Sequence, residues 1–153
     1  MTKEDIFHSV DHKDAVYGAM LDSIDCGPFD GGCVVFAMAL QSVYGGDVYV
    51  IDGQTAQSPF GPLTSSGAQH AILRLPNGRF MDAGGEGSEI NLVSRLNKNE
   101  CFGRLVHEST RPIRDDDLPD APRDEALVER LAILLRQSLP VEPTKSMRSR
   151  MRV

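Results

Sequence analysis

The sequence predicts an α+β fold in which a buried helix carrying a cysteine packs on a small antiparallel sheet, with an amphipathic helix at the C-terminal end. Three observations predict it. The run "CVVFAMALQSVY", Cys33 to Tyr44, is apolar on nearly every side and is stopped by Gly45 and Gly46, as befits a helix enclosed in a core. Segments rich in β-branched and aromatic residues follow, two of them joined by "LPNGR", which reads as a hairpin. Near the end Leu127, Leu131, Leu134 and Leu135 fall on one helical stripe.

In chain order, Ala15, Val16, Ala19 and Met20 share a helical face over about residues 11–21. "DCGPFDGG", Asp25 to Gly32, interrupts that pattern with three glycines and a proline, residues suited to tight turns. After the Cys33–Tyr44 helix come "DVYVI" (Asp47–Ile51), "QHAILRL" (Gln69–Leu75) and "RFMDA" (Arg79–Ala83), all read as strands. Residues 53–67, crowded with Gln, Ser, Pro, Thr and Gly, read as a binding loop or lid. "GGEGSE" reads as a turn before a short amphipathic helix with Ile90, Leu92, Val93 and Leu96, and "CFGRLVHE" from Cys101 as a further strand. The division expected is a core of residues 1–110, a charged Pro-rich linker at 111–123, a C-terminal helix at 124–139 and a mobile basic tail at 140–153.

At 153 residues, with 41% hydrophobic and 25% charged side chains, the chain has the make-up of one globular domain rather than a disordered or fibrous one. A formal charge of −6 repels a phosphate backbone, confining any nucleic-acid contact to the tail with Lys145, Arg148, Arg150 and Arg152. No segment approaches the roughly 18 apolar residues of a membrane span, and the amino terminus has no apolar h-region. No membrane association is expected, and a cytoplasmic location is. The odd count of three cysteines suits reduced thiols. Cys26, Cys33 and Cys101 lack the close pairing that wraps a tetrahedral ion, so no metal site is expected.

A cysteine in the first turn of a helix lies beside unpaired N–H groups and a partial positive charge, which favour its thiolate. Cys33 is placed there. Gly31 and Gly32 before it leave room for a substrate to approach, and the helix N–H groups suit an oxyanion. Cys26 precedes "GP" outside any predicted helix head, while His8, His12 and His107 lack a comparable pairing argument. Asp115, Asp116 and Asp117 read as the solvated surface of the linker.

The hairpin "QHAILRLPNGRFMDAGG" supplies a base and an acid if its register allows. A two-residue turn at Asn77-Gly78 requires a ladder N–H from Pro76, which has none, and sets Leu73 opposite Asp82. A three-residue loop with Gly78 left-handed sets Leu75 opposite Arg79 and Ile72 opposite Asp82. His70 then lies diagonal to Asp82 on one face, within reach of a side-chain hydrogen bond.

A cysteine heading a buried helix, then a strand histidine in "QHAILRL", then an acid in "NGRFMDAGG" resembles the papain-like cysteine hydrolase superfamily, including its bacterial cell-wall peptidase branch, over about residues 30–85. The chain departs from that pattern in having Val34 after the cysteine and no glutamine shortly before it. The resemblance implies Cys33 as nucleophile, His70 as base and Asp82 as the orienting acid, with Gly31, Gly32 and Gln69 contacting substrate and no cofactor. The activity implied is hydrolysis, deamidation or acyl transfer on an amide of a protein or small molecule. A second class stays open on the same residues: a non-catalytic binding or regulatory protein, with Cys33 in its core, that meets a protein partner through the C-terminal helix and basic tail.

Overall fold

A computed structural model of the chain describes residues 10–29, 31–56, 65–98 and 104–138. Cys101, most of the expected lid and the tail at 140–153 lie outside them. The described elements are α1 (Val10–Ile24), α2 (Cys33–Tyr44), β1 (Asp47–Ala56), β2 (Ser65–Arg74), β3 (Phe80–Asp82), β4 (Gly85–Gly87), α3 (Glu89–Asn97), β5 (Arg104–Pro112) and α4 (Glu125–Ser138). The fold is α+β: four helices and one five-stranded sheet, ordered β4-β3-β2-β1-β5 with every neighbouring pair antiparallel.

Alternation along β2 sorts the layers. Leu73 and the following Leu75 join Val35, Phe36, Ala39 and Leu40 of α2, Met20 of α1 and Leu127, Leu131 and Leu135 of α4 in one cluster, so α1, α2 and α4 share a face of the sheet. Ile72 points the other way, to Leu92 and Leu96 of α3. Leu127, Leu131 and Leu135 of α4 are at most 2% exposed. The stripe packs back on the chain itself, and Arg136 Nη2 adds a hydrogen bond to Ser42 O at 2.8 Å near the end of α2. A partner protein could meet only the outer face of α4, where Ile133 is 53% exposed.

Three sequence readings are corrected. Residues 53–56 and 65–67 are strand rather than loop, because β1 is an interior strand and its polar, glycine-containing end is held by β2 and β5 on either side. "GEG" is not only a turn: it adds β4 to β3, with Asp82 across from Gly85, and backbone ladder bonds need no strand-forming side chains. The supposed linker is no free tether either. Arg111 and Pro112 end β5, Asp117 is buried, and Ile113, Leu118 and Ala121 pack against Val34, Val48 and Ala71.

The sheet is irregular at one level. Pairing of β1 with β2 steps from Ile51–His70 to Asp52–Ala68, leaving Gln69 as the extra residue. Pairing of β1 with β5 steps from Asp52–Ser109 to Gly53–His107, leaving Glu108 extra. Bulges bend a strand and re-aim the side chains beside them, and these two flank the sheet level that carries His70.

Candidate active site

The turn before α2 delivers Cys33 to the head of the helix. Gly32 N–H donates to Gly27 O at 2.8 Å, closing the loop, and Gly31 adopts φ +130, a conformation side chains resist. Phe36 N–H to Gly32 O begins the intrahelical ladder, so the N–H groups of Cys33, Val34 and Val35 precede it. Among the described residues no side chain caps this end, and no acid lies in the first turn. The positive end of the helix therefore stays open beside the sulfur.

His70 and Asp82 come from the hairpin in the three-residue register. Leu75 N–H donates to Arg79 O at 2.7 Å, Gly78 N–H to Leu75 O at 2.9 Å, and Gly78 has φ +89. The ladder continues through Arg74–Phe80 and Leu73–Met81. The same register, extended one residue beyond the last pair, puts Ile72 across from Asp82, and the diagonal from Asp82 to His70 is bridged by Nε2 and Oδ2 at 3.2 Å.

The edge of β2 explains how a histidine on the α3 face meets a cysteine from a helix on the opposite face. Leu75 N–H points toward β3, so by alternation Leu73 and Ala71 N–H do too. Pairing between these strands ends at Leu73–Met81, and the Ala71 N–H instead serves the Cys33 sulfur. Cys33 thus occupies the place a longer β3 would fill. Phe29 wraps the same edge and stacks on the imidazole, with ring centroids 5.4 Å apart and planes at 16°.

Burial alone pushes the Cys33 thiol up, but the hydrogen bond and charge of His70, with the Ala71 and Cys33 N–H groups, outweigh it and bring the thiol below its ordinary range. Burial alone pushes His70 down; hydrogen bonds to Asp82 and Cys33 and the charge of each outweigh it, raising the imidazole to about 9. Each shift favours the charged form of its group, so the site favours a thiolate–imidazolium pair near neutral pH. Asp82 holds Nε2, leaving Nδ1 as the nitrogen for the sulfur.

Asp82 has its own support, which the sequence reading missed. Its Oδ1 accepts Gly84 N–H at 2.8 Å and Arg95 Nη2 at 3.0 Å, and that Nη2 also donates to Gly85 O at 3.0 Å. Arg95 comes from α3, whose Ser88–Asn91 capping box fixes its start. Spacing alone does not announce it, since Asp82 and Arg95 meet through the fold of β4 between them.

Of the expected substrate contacts, Gly31 and Gln69 line a cleft of about 610 Å³ together with Cys33 and His70. Gln69 spends its side-chain N–H groups on the bulge, donating to Gly53 O at 3.3 Å and Gly67 O at 3.2 Å. Gly32 is buried, and does not make room for substrate: a Cβ there would collide with Met20 Cε and Gly27 O. Its small size serves the packing of α1 against the turn.

The opposite cleft wall is the segment after β5, read from sequence as surface. Arg111 holds it, with Nη1 and Nη2 on Asp117 at 2.7 and 2.9 Å and Nε on Asp52 at 3.0 Å. Asp117 also accepts Arg114 N–H at 2.7 Å. Arg111 is the leading cause that lowers Asp117 to about 2. Asp117→Ala should loosen this wall and destabilise the fold by about 1–3 kcal/mol, because Arg111 loses its bidentate partner. Hydrogen exchange checks it: faster exchange confined to 112–121 is expected, and unchanged exchange there refutes the staple. A depressed carboxylate contributes stability above its unfolded value of 3.8, lost as pH falls through about 2, so the native wall should hold through mild acid.

Among the described residues no helix is long and apolar enough to cross a membrane. Comparison of the chain with protein-family models, with curated proteins and with solved structures finds no match.

Proposed function

We propose that the protein is a papain-like thiol hydrolase or acyltransferase acting on an amide, with Cys33 as nucleophile, His70 as acid and base, and Asp82 as the group that orients the imidazole. The observation carrying this reading is the continuous chain from the Cys33 sulfur through His70 to Asp82, opening on the cleft. The order of the three residues and the helix headed by the cysteine on an antiparallel sheet agree with the superfamily resemblance.

The chemistry follows from the geometry. The Cys33 thiolate attacks the amide carbonyl, and charge gathers on its oxygen, which the first N–H groups of α2 are placed to stabilise. His70 gives its Nδ1 proton to the departing amine, leaving a thioester and a neutral imidazole. Water, or an amine in transfer, then attacks; His70 takes its proton, the thioester breaks and the ion pair returns. Asp82, locked by Arg95 and Gly84, keeps Nε2–H fixed so that Nδ1 faces the sulfur throughout.

Iodoacetamide labelling of the native protein tests the nucleophile. Cys33 should alkylate with a pH midpoint well below the free-thiol value of roughly 8.5, and faster than Cys26. Protection of Cys33 until the chain unfolds would return it to the core and end the hydrolase reading.

A further inference from the structure

The charges around the cleft go further and, resting on the thiol-hydrolase reading above, name a substrate class. Four carboxylates line it, Asp52, Asp116, Asp117 and Asp120, against the guanidiniums of Arg111 and Arg114. These are not equivalent. Arg111 is shared between Asp52 and Asp117. Arg114 has a side chain 66% exposed and leans on the same Asp117, with Nε 3.9 Å away. Asp116 and Asp120 are exposed, and among the described residues neither has an ion-pair partner. Among the described residues the cleft lining holds no further cation except His70, which is matched by Cys33; Arg95 is matched by Asp82, and Arg123, outside the lining, is tied to the Asp117, Leu118 and Ala121 carbonyls.

A group entering the cleft therefore meets a net negative field, bounded on one side by the apolar surfaces of Phe29, Leu118, Pro119 and Ala121. A cleft lined by one sign of charge, with walls of low dielectric, concentrates opposite charge and repels its own. We infer that the amide attacked by Cys33 is flanked by a cation, the side chain of lysine or arginine or an ammonium group, and that Asp116 and Asp120 are the residues that select it. Acidic substrates are disfavoured at the same place.

Two methanethiosulfonates of opposite charge, the trimethylammonioethyl and sulfonatoethyl reagents, read the field without a known substrate. Their rates at Cys33, followed by peptide mass mapping, are normalised to a small free thiol, with neutral iodoacetamide as reference. The cationic reagent should be favoured by about tenfold at low ionic strength. The ratio should shrink as salt rises and fall toward unity in Asp116→Asn/Asp120→Asn. Acetylated peptide amides bearing lysine should likewise be turned over faster than those bearing glutamate, and free-amine counterparts lacking lysine separate an ammonium preference from a side-chain one. Rapid iodoacetamide labelling of Cys33 with a charge ratio equal to that of the free thiol overturns the inference and leaves the hydrolase reading standing. Resistance of Cys33 to all three reagents until unfolding removes both. A wild-type preference that the double variant retains overturns the assignment of Asp116 and Asp120.

Discussion

Cys33→Ala is expected to lose about 10⁴-fold or more in amide turnover, because the proposed acyl intermediate forms on its sulfur. Cys33→Ser is expected to lose nearly as much: His70 bonds the serine hydroxyl, but the alkoxide is far less accessible than a thiolate. Stability separates this outcome from a packing effect. A buried hydroxyl without a partner costs about 1–3 kcal/mol, yet here His70 and the Ala71 N–H meet the atom at this position. The serine and alanine variants should therefore melt close together. Turnover surviving in either variant would sink the nucleophile assignment, and a serine variant far less stable than the alanine one would show that the sulfur's polar contacts are not formed.

The second large effect is on pH dependence. The proposed reaction requires a thiolate and an imidazolium together, so kcat/KM should fall on the acid side as the depressed thiol takes up its proton. On the alkaline side it should fall as His70 loses its proton near 9. Asp82→Asn removes a hydrogen bond and a charge that both hold His70 up, so the alkaline limb should move down toward the ordinary 6.5. The rate at the optimum should drop by about 10²–10⁴-fold. Stability carries the same signature. A histidine raised on folding contributes stability that is complete below 6.5 and lost as pH rises through about 9. A profile of unchanged width in Asp82→Asn would detach the aspartate from the histidine.

The part of the site legible in sequence is the part whose geometry is local. Pro76 lacks an N–H and Gly78 accepts a positive φ, and these two facts select the register that sets His70 diagonal to Asp82. The helix beginning at Cys33 is equally plain, because an apolar run is bracketed by glycines. Arg95 and Phe29 were beyond reach, since each arrives by a path that depends on where β4 or the edge of β2 lies in space. The stretch 111–123 misled for a related reason: local charge and proline suggest solvation, whereas Asp117 is buried by an arginine that also grips Asp52, 59 residues from it in sequence. The GEG strand escaped notice because its pairing is a matter of backbone alone.

The crowding at Gly32 fixes how far this protein can be improved by design. Installing serine or aspartate at a helix N-cap is a standard route to thermostability, worth about 0.5–2 kcal/mol over alanine. Here that route is closed, because any Cβ at the cap would strike Met20 and the Gly27 carbonyl. An aspartate there would also set an anion beside the sulfur and take up N–H groups that the proposed reaction uses. Thermostable variants are therefore better sought at α3 and α4 or on the outer strands, and a stabilising consensus applied without regard to position would spend activity at this residue.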